Sequence, residues 1–294
     1  MRWRRIKDSA ATKSMRLALA LVNSLLVLLV IGLFAKSRPI LARVSIVDLL
    51  LSSSWHPLRG EFGFYPFIVG TLAVTAMAMI LAIPVCLLSA IYLSEYAHRR
   101  LRELVRPVID LLAGIPSVIY GFWGVIVVVP LVRALGHAVG SPTTGYSLLS
   151  GGIILAIMVF PIIISVATDV LQSVPAEATE ASLALGATRW ETVKHVVLRA
   201  ALRGLMAAIV LGFARAFGET MAVLMVVGNV PKVPTSLFDP AYPLPALIAN
   251  NYGEMMSIPL YDSALMLAAL VLLVVVAGFN LGAHLVLLRV ERRY

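Results

Sequence analysis

Six stretches of this chain are long enough, and sufficiently free of charge, to leave water for a bilayer. Crossing the hydrocarbon core takes about 20 mostly apolar residues, because the core is about 30 Å thick and an α-helix rises about 1.5 Å per residue. No charged residue occurs between Arg16 and Lys36, or between Glu61 and Glu95, where Pro66 and Pro84 punctuate the run. Further runs extend from about Leu111 to Val132, from Leu148 to Thr168 and from Ser263 to Leu288. The fifth in chain order, Gly204 to Val230, differs by carrying Arg215 and Glu219 near its middle. Only 13% of the 294 residues are charged and 60% are hydrophobic. A soluble domain averages about 25% charged residues, so this composition cannot cover a water-facing surface. Spanning segments must satisfy their own backbone, and runs of this length do so as helices. The expected fold is an all-α integral membrane protein with six transmembrane helices, forming one transmembrane domain over residues 1–294.

Orientation follows from the loops. The formal charge of +9 arises from 24 Lys and Arg against 15 Asp and Glu. With the N-terminus inside, seventeen of the basic residues fall on one side and six on the other, Arg215 making up the total. Positively charged short loops stay cytoplasmic, so both termini are expected in the cytoplasm of a multi-pass protein of the cell (inner) membrane. This distribution, rather than nucleic-acid binding, accounts for the basic charge. Arg2, Arg4, Arg5 and Lys7 would suit a secretory leader, but the apolar run behind them exceeds a leader's core and more spans follow, so the first helix reads as an uncleaved anchor. Two outward segments, Lys36 to Phe64 and Pro231 to Asp262, are rich in Pro, Ser, Asn and Tyr, and are expected on the membrane surface or as short non-spanning helices.

The chemistry that is missing is informative. Only Lys13 and Lys36 precede a serine, and neither follows the glycines of a phosphate-cradling loop, so any ATPase must be a separate chain. His56, His98, His137, His195 and His284 are scattered without paired spacing, and Cys86 has no partner cysteine, so no metal site is expected. No nucleophile frame of the Gly-x-Ser-x-Gly kind occurs. The chain itself shows no enzyme site and no cofactor site.

The cytoplasmic segment 169–203 carries the clearest local signals; the N-terminal tail, 1–16, is the other cytoplasmic piece of note. Pro175 suits a first helical position, Glu177 and Glu180 favour the positive end of a helix, and Gly186 is placed to end it in a left-handed cap. Thr188 followed three residues later by Glu191 fits a capping box, so a second helix is expected to start there and run towards span five. The segment is thus a helix–turn–helix across the cytoplasmic mouth. Its spacing, Glu180-Ala181-Ser182, three residues, Gly186, then nine residues to Val196-Val197-Leu198-Arg199, resembles the EAA motif of ABC-importer permeases, Glu-Ala-Ala-x3-Gly-x9-Ile-x-Leu-Pro, with departures at Ser182, Val196 and Arg199. In that family the first helix docks into a groove on the ATP-binding subunit.

Two further segments narrow the resemblance. Leu111-Leu-Ala-Gly-Ile-Pro-Ser-Val-Ile-Tyr-Gly-Phe-Trp-Gly124 and Ala214-Arg-Ala-Phe-Gly-Glu-Thr-Met-Ala-Val223, closing with Gly228-Asn229, look like stretches of the permease of the phosphate-specific ABC importer, the PstC type. Together with the EAA-like region they cover spans three to five. The resemblance implies a permease subunit of an ATP-driven importer for inorganic phosphate. Its partners would be a homologous second permease, two ATP-binding subunits holding ATP and Mg, an external phosphate-binding protein and membrane lipid. It implies Glu180, Ala181 and Gly186 as ATPase-coupling positions, while the charges within span five and the proline within span three point to Arg215, Glu219, Thr220, Pro116 and Ser117 as the substrate path. A permease for sulfate or molybdate, and a stand-alone secondary transporter or channel using Arg215 and Glu219 for ion coupling, are the competing readings. A membrane enzyme is the weakest.

Physical reasons run alongside. Pro116 removes a backbone hydrogen bond inside an apolar stretch and is expected to kink span three. Gly204, Ala208, Gly212 and Ala216 recur every fourth residue and make a small-residue seam for close helix packing. Arg215 and Glu219, one turn apart beside that seam, are expected to point into the bundle near a helix–helix interface, where their spacing permits an ion pair.

Overall fold

The structure is a computed structural model that describes residues 2–255 and 257–291. Arg292 and Arg293, counted above among the cytoplasmic basic residues, lie outside the described residues, as does the last residue of the domain expected over 1–294.

Helix α1 (Arg2–Leu41) runs through the first apolar stretch into the outward segment. There α2 (Ile46–Leu51) and a two-stranded hairpin follow, β1 (Trp55–His56) antiparallel to β2 (Glu61–Phe62), with Trp55 opposite Phe62. Helix α3 (Tyr65–Ile91) ends in a wide turn over Tyr92–Tyr96. Next come α4 (Arg99–Gly114) and α5 (Ser117–Trp123), which continues through a wide turn at Gly124–Val128 into α6 (Val129–Ala138). Helix α7 (Leu148–Gln172) leads to the short α8 (Ala176–Ala184). Helix α9 (Arg189–Thr192) runs without a break through a wide turn at Val193–Val197 into α10 (Leu198–Gly218). The chain closes with α11 (Met221–Leu224), α12 (Leu244–Asn251) and α13 (Tyr261–Glu291). In the wide turns an amide bonds five residues back, as Ala97 N–H does to the Tyr92 carbonyl at 2.8 Å. Such π-type turns concentrate at functional sites.

Among the described residues, six helical stretches are long and apolar enough to cross a membrane: Ala10–Leu41, Tyr65–Tyr96, Ser117–Ala138, Leu148–Gln172, Arg189–Gly218 and Tyr261–Ala283. The six expected spans are present, with shifted ends. Span three starts at Ser117 rather than Leu111, because Pro116 is not a kink within it. Pro116 sits in extended backbone between α4 and α5, and α4 is a separate amphipathic helix without buried side chains. A proline disfavours helical geometry in the residue before it, and Ile115 is extended accordingly. The Tyr120 hydroxyl donates to the Leu112 carbonyl at 2.8 Å and bridges the break.

Helix α7 stands at the centre. Ser147 caps it by accepting the Ser150 N–H at 3.3 Å. Its Gly152 lets α3 come close through Met77, and Gly204 and Gly212 of α10 admit Val170 and Ile163 of α7. Ala208 and Ala216 are buried on the same stripe. The expected small-residue seam is therefore the contact between α10 and α7. In lipid, where hydrophobic burial does not favour one apolar partner over another, such close approach supplies the van der Waals attraction that holds helices together. Helix α1, by contrast, packs against α13 and leaves Leu17 through Ile31 largely exposed, as acyl chains can solvate it.

At the end of the bundle away from α8, the two outward segments fold together. Trp55 lies edge-on to Phe67 with centroids 4.8 Å apart and to Phe62 at 5.6 Å, and Phe67 meets Tyr242 at 5.2 Å. Aromatic pairs of this kind contribute about 0.5–1.5 kcal/mol beyond their burial. Thr71 Oγ1 accepts the Leu244 N–H at 2.8 Å and so fixes the start of α12 against α3. The short helices expected there, α2 and α12, are thus one cap over the bundle.

Candidate functional site: a coupling segment and a broken span

Helix α8 is built by local chemistry. Pro175, in extended geometry, precedes its first residue rather than occupying it, and Glu177 lies in its first turn. Gly186 has φ +88°, its N–H reaches the Leu183 carbonyl at 3.0 Å, and Ala187 N–H reaches the Ser182 carbonyl at 3.3 Å. These two bonds are a Schellman cap, which needs a left-handed residue at its hinge. Thr188 then starts α9 with a reciprocal capping box: its Oγ1 accepts the Glu191 N–H while the Glu191 carboxylate accepts the Thr188 N–H at 2.8 Å. Ser182 Oγ and Thr192 Oγ1, 2.9 Å apart, tie α8 to the base of span five. Glu180, Ala181 and Gly186 are exposed, and so are Leu183, Leu185 and Trp190. The expected positions therefore share one free surface that carries apolar side chains.

Arginines clasp this segment to its neighbours. The Arg189 guanidinium donates to the Glu95 carbonyl and lies 5.0 Å from the centroid of the Tyr96 ring. Arg106 of α4 pairs with Asp169, at the end of α7, at 3.3 Å. Arg102 donates to the carbonyls of Leu93 at 2.9 Å and Ser94 at 2.6 Å. The wide turn Tyr92–Tyr96 presents these carbonyls. Helix α8 is thus linked through α9 to the end of α3, and α4, which leads to the Pro116 break, is tied to the ends of α3 and α7. Neither the Arg189 nor the Arg106 contact announces itself in sequence, since those pairs are remote along the chain.

The substrate-path expectation for span five needs correction. Arg215 and Glu219 do not stand on one continuous helix: α10 stops at Gly218, and Glu219 is extended, with φ −74° and ψ 128°. Its Oε1 accepts the Ala222 N–H at 3.1 Å and thereby caps α11. The ion pair that their spacing permits is not formed, and Arg215 does not point into the bundle. It is exposed, close enough to the Tyr120 hydroxyl to act on it electrostatically. The two side chains part because the extended Glu219 breaks the helical spacing.

The break lies deep. Glu219 lines a crevice of about 10 Å³ with Thr71, Thr75, Leu155 and Phe217. Leu155 sits about 10 Å along α7 from its outward end at Leu148. Irregular backbone at that depth persists only where protein buries it or where it lines a wet cavity. Here α5 covers it from one side: a Cβ on Gly121 would meet Ala222 and Met225. Helix α5 thus comes near Arg215 through Tyr120 and packs on α11, which Glu219 caps, while Pro116 and Ser117 stand about one turn before Tyr120 at its start. Tyr120 carries no signal of its own in the sequence, because its significance comes from bonding Leu112 and lying near Arg215 across three elements.

Comparisons with known proteins agree with this architecture. Residues 82–294 match the family model described as the binding-protein-dependent transport system inner membrane component. The chain is 36% identical over 303 residues to the phosphate transport system permease protein PstC of Mesorhizobium japonicum, covering 98% of this chain and 92% of that protein. It is 42% identical over 233 residues to the probable ABC transporter permease protein YqgH of Bacillus subtilis, covering 79% and 74%. Among solved structures, a bacterial ABC transporter involved in import of the acidic polysaccharide alginate aligns with TM-score 0.60 at 15% identity, covering 88% of both chains. The MetNI methionine ABC transporter aligns with TM-score 0.58 at 22% identity, covering 75% of this chain and 93% of that one. With its six spans, its capped and exposed α8 and these relatives over most of its length, the chain belongs to the binding-protein-dependent ABC importer permeases, among those of the PstC type.

Proposed function

We propose that the chain is a transmembrane subunit through which an ATP-driven importer takes up inorganic phosphate. It works with a homologous second permease, two ATP-binding subunits that hold ATP and Mg, and an external phosphate-binding protein. ATP hydrolysis belongs to those subunits, and α8 receives its push at Glu180, Ala181 and Gly186. The N-terminus and the α8 end lie in the cytoplasm. The names of the full-length relatives favour phosphate over other oxyanions.

The observation that carries the reading is Arg215, an exposed cation at membrane depth beside a broken span. A central Arg on a lipid-facing helix costs about 2.5–3.5 kcal/mol, so this face is suited to a second subunit and a wet seam rather than to lipid. On α5 and α11, which flank the break, Val118, Ile119, Phe122 and Met221 are exposed and apolar, as an interface core requires. In that seam Arg215 offers a planar fork that takes two phosphate oxygens at once. Glu219 shapes the break by holding α11, and its remaining carboxylate oxygen repels an anion that strays from the arginine.

Uptake of radiolabelled phosphate into vesicles containing the reconstituted complex tests the function. ATP-dependent accumulation that sulfate and molybdate do not compete away supports it; accumulation of either of those in place of phosphate would identify the other oxyanion reading. Co-purification of an ATPase separates both from a stand-alone transporter. For sidedness, cysteines at Ser173 and Ser236 should label from the cytoplasm and from outside respectively; outside labelling of Ser173 would reverse the orientation.

A further inference from the structure

Between the outward ends of α1, α3 and α13 the bundle leaves a groove of about 480 Å³. Its walls are apolar and include Phe34 and Leu41 of α1, Leu50 of α2, Ile68 of α3 and Val271 of α13. Water would be a poor occupant of such a lining, and the described chain does not fill it. Two arginines are set close to this lining. The Arg38 guanidinium lies 5.9 Å from the centroid of the Phe34 ring, directly over a wall of the groove. Arg43 lies in the short turn between Leu41 and Ile46, which both line it. Both side chains are exposed, and among the described residues neither pairs with a carboxylate. Asp48, the acid nearest along the chain, is exposed on α2.

An apolar trough with one guanidinium over its wall and a second arginine on the turn between two of its lining residues, neither paired with a carboxylate among the described residues, has the chemistry of a phospholipid. We propose that the groove binds an anionic phospholipid, one acyl chain lying between α1 and α13 and the headgroup phosphate held by Arg38 and Arg43. Charge complementarity selects the headgroup. A zwitterionic lipid brings its own ammonium, which competes for the phosphate and repels the arginines; a phosphatidylglycerol brings no cation. Membrane-facing basic residues gain about 1 kcal/mol each from anionic lipid, which is roughly a fivefold change in binding per residue. The bland alternative is that arginines at helix ends merely mark the interface while bulk lipid wets the groove. The paired observations argue against it: Arg38 is aimed over Phe34, and α1 packs mainly on α13, meeting the α2–α3 corner through Ile40 near its end. A bound lipid would serve as the missing wedge between α1 and the α2–α3 corner.

The test uses the full complex in vesicles, with Leu50→Trp as a reporter in the groove and Leu25→Trp on the exposed face of α1 as the bulk-lipid control, each read as added fluorescence over the native tryptophans. Quenching by dibrominated phosphatidylglycerol is compared with that by dibrominated phosphatidylcholine. The Leu50→Trp reporter should favour phosphatidylglycerol by at least roughly tenfold and Leu25→Trp should not. Arg38→Gln with Arg43→Gln should remove the preference while leaving the brominated chain in the groove. Equal quenching by both lipids at Leu50→Trp would overturn the proposal, as would no quenching there in the assembled complex, which would mean a partner helix fills the groove. Displacement by added inorganic phosphate would show the arginines to hold the free anion instead, and would overturn it too. None of these outcomes depends on whether phosphate is the transported species.

Discussion

Two of the interruptions between helices, the two to which we assign function, are made by different means. Between α7 and α9 the interruption is local: Gly186 supplies the left-handed hinge, and Thr188 with Glu191 restarts the helix, all within a few residues. Between α10 and α11 the local signals are weaker, since Gly218-Glu219-Thr220 contains no proline and no left-handed hinge, and the one local bond is from the Ala222 amide to Glu219. There the break is held by contacts, Glu219 capping α11 and α5 packing upon it through Gly121. The first kind of interruption makes a rigid handle on the surface. The second makes a joint whose shape depends on its neighbours, which suits a path that must open and close.

If that contrast is right, the handle should fail abruptly and the joint by degrees. Gly186→Val should have the largest effect, because a β-branched residue resists left-handed geometry by about 1–2 kcal/mol and the cap aims α8. Combined with Ala181→Trp on the docking surface, it should abolish coupled uptake at normal membrane abundance. Wild-type transport by the double variant would remove α8 from coupling.

Next in size, Arg215→Gln should lower phosphate uptake by roughly 10–100-fold with the complex still assembled, corresponding to loss of one charge-assisted pair at about 1.5–3 kcal/mol. Arg215→Lys should restore only part of it, lacking the planar fork. Uptake within twofold of wild type in Arg215→Gln would leave the arginine a structural role alone.

Glu219 sharpens the comparison most directly. If it is a cap that shapes the joint, Glu219→Gln keeps the acceptor oxygen and should leave uptake within about threefold, whereas Glu219→Ala should cost about 1 kcal/mol in stability and lower the melting temperature by a few degrees. A Gln variant that assembles but does not transport would show that the charge, and not the cap, is needed.

Smaller still, Arg189→Gln or Tyr96→Leu should loosen the clasp between α9 and the end of α3. A cation–π contact at an exposed site is worth about 0.5–1 kcal/mol, so the expected result is a few-fold rise in ATP hydrolysis without uptake. An unchanged ratio of hydrolysis to uptake would confine the clasp to folding.

The smallest effect is expected on the outward face, at Asp239. Its carboxylate accepts from the Thr235 hydroxyl at 2.8 Å and from the Thr235 and Ser236 amides at 2.9 Å, and these bonds hold it below the usual carboxylate range. A lowered folded-state value means the loop gains stability above the ordinary Asp range and loses it as pH falls through the lowered value. Hydrogen exchange of the Thr235 and Ser236 amides should speed up at acid pH in the wild type. In Asp239→Asn that acid dependence should vanish.

Much of this architecture was legible from residues alone, and the reason is that a bilayer leaves few solutions. A run without charge must be a self-bonded helix, so six runs specify six spans whatever their partners. The α8–α9 segment was equally legible because caps act over three or four residues, and the seam from Gly204 to Ala216 followed from helical period. Other features were not. Pro116 read as a kink because sequence shows a missing N–H but not that α4 would peel away as a separate amphipathic helix. The clasp of Arg189 on Tyr96, and the cap formed by Trp55, Phe67 and Tyr242, join residues remote in the chain.

Arg215 and Glu219 mark the boundary between the two kinds of knowledge. Sequence by itself determined that two charges sit at membrane depth, because the run around them spans and the penalty for charge there holds in any fold. Only the tertiary structure decided that they do not meet. Four residues apart they are neighbours on a helix, but one extended residue, held by the Ala222 amide and by α5 packed across the break, turns Glu219 toward the crevice and leaves Arg215 on the open face. Helical spacing is a local rule, and it lapses where packing from elsewhere in the chain ends the helix.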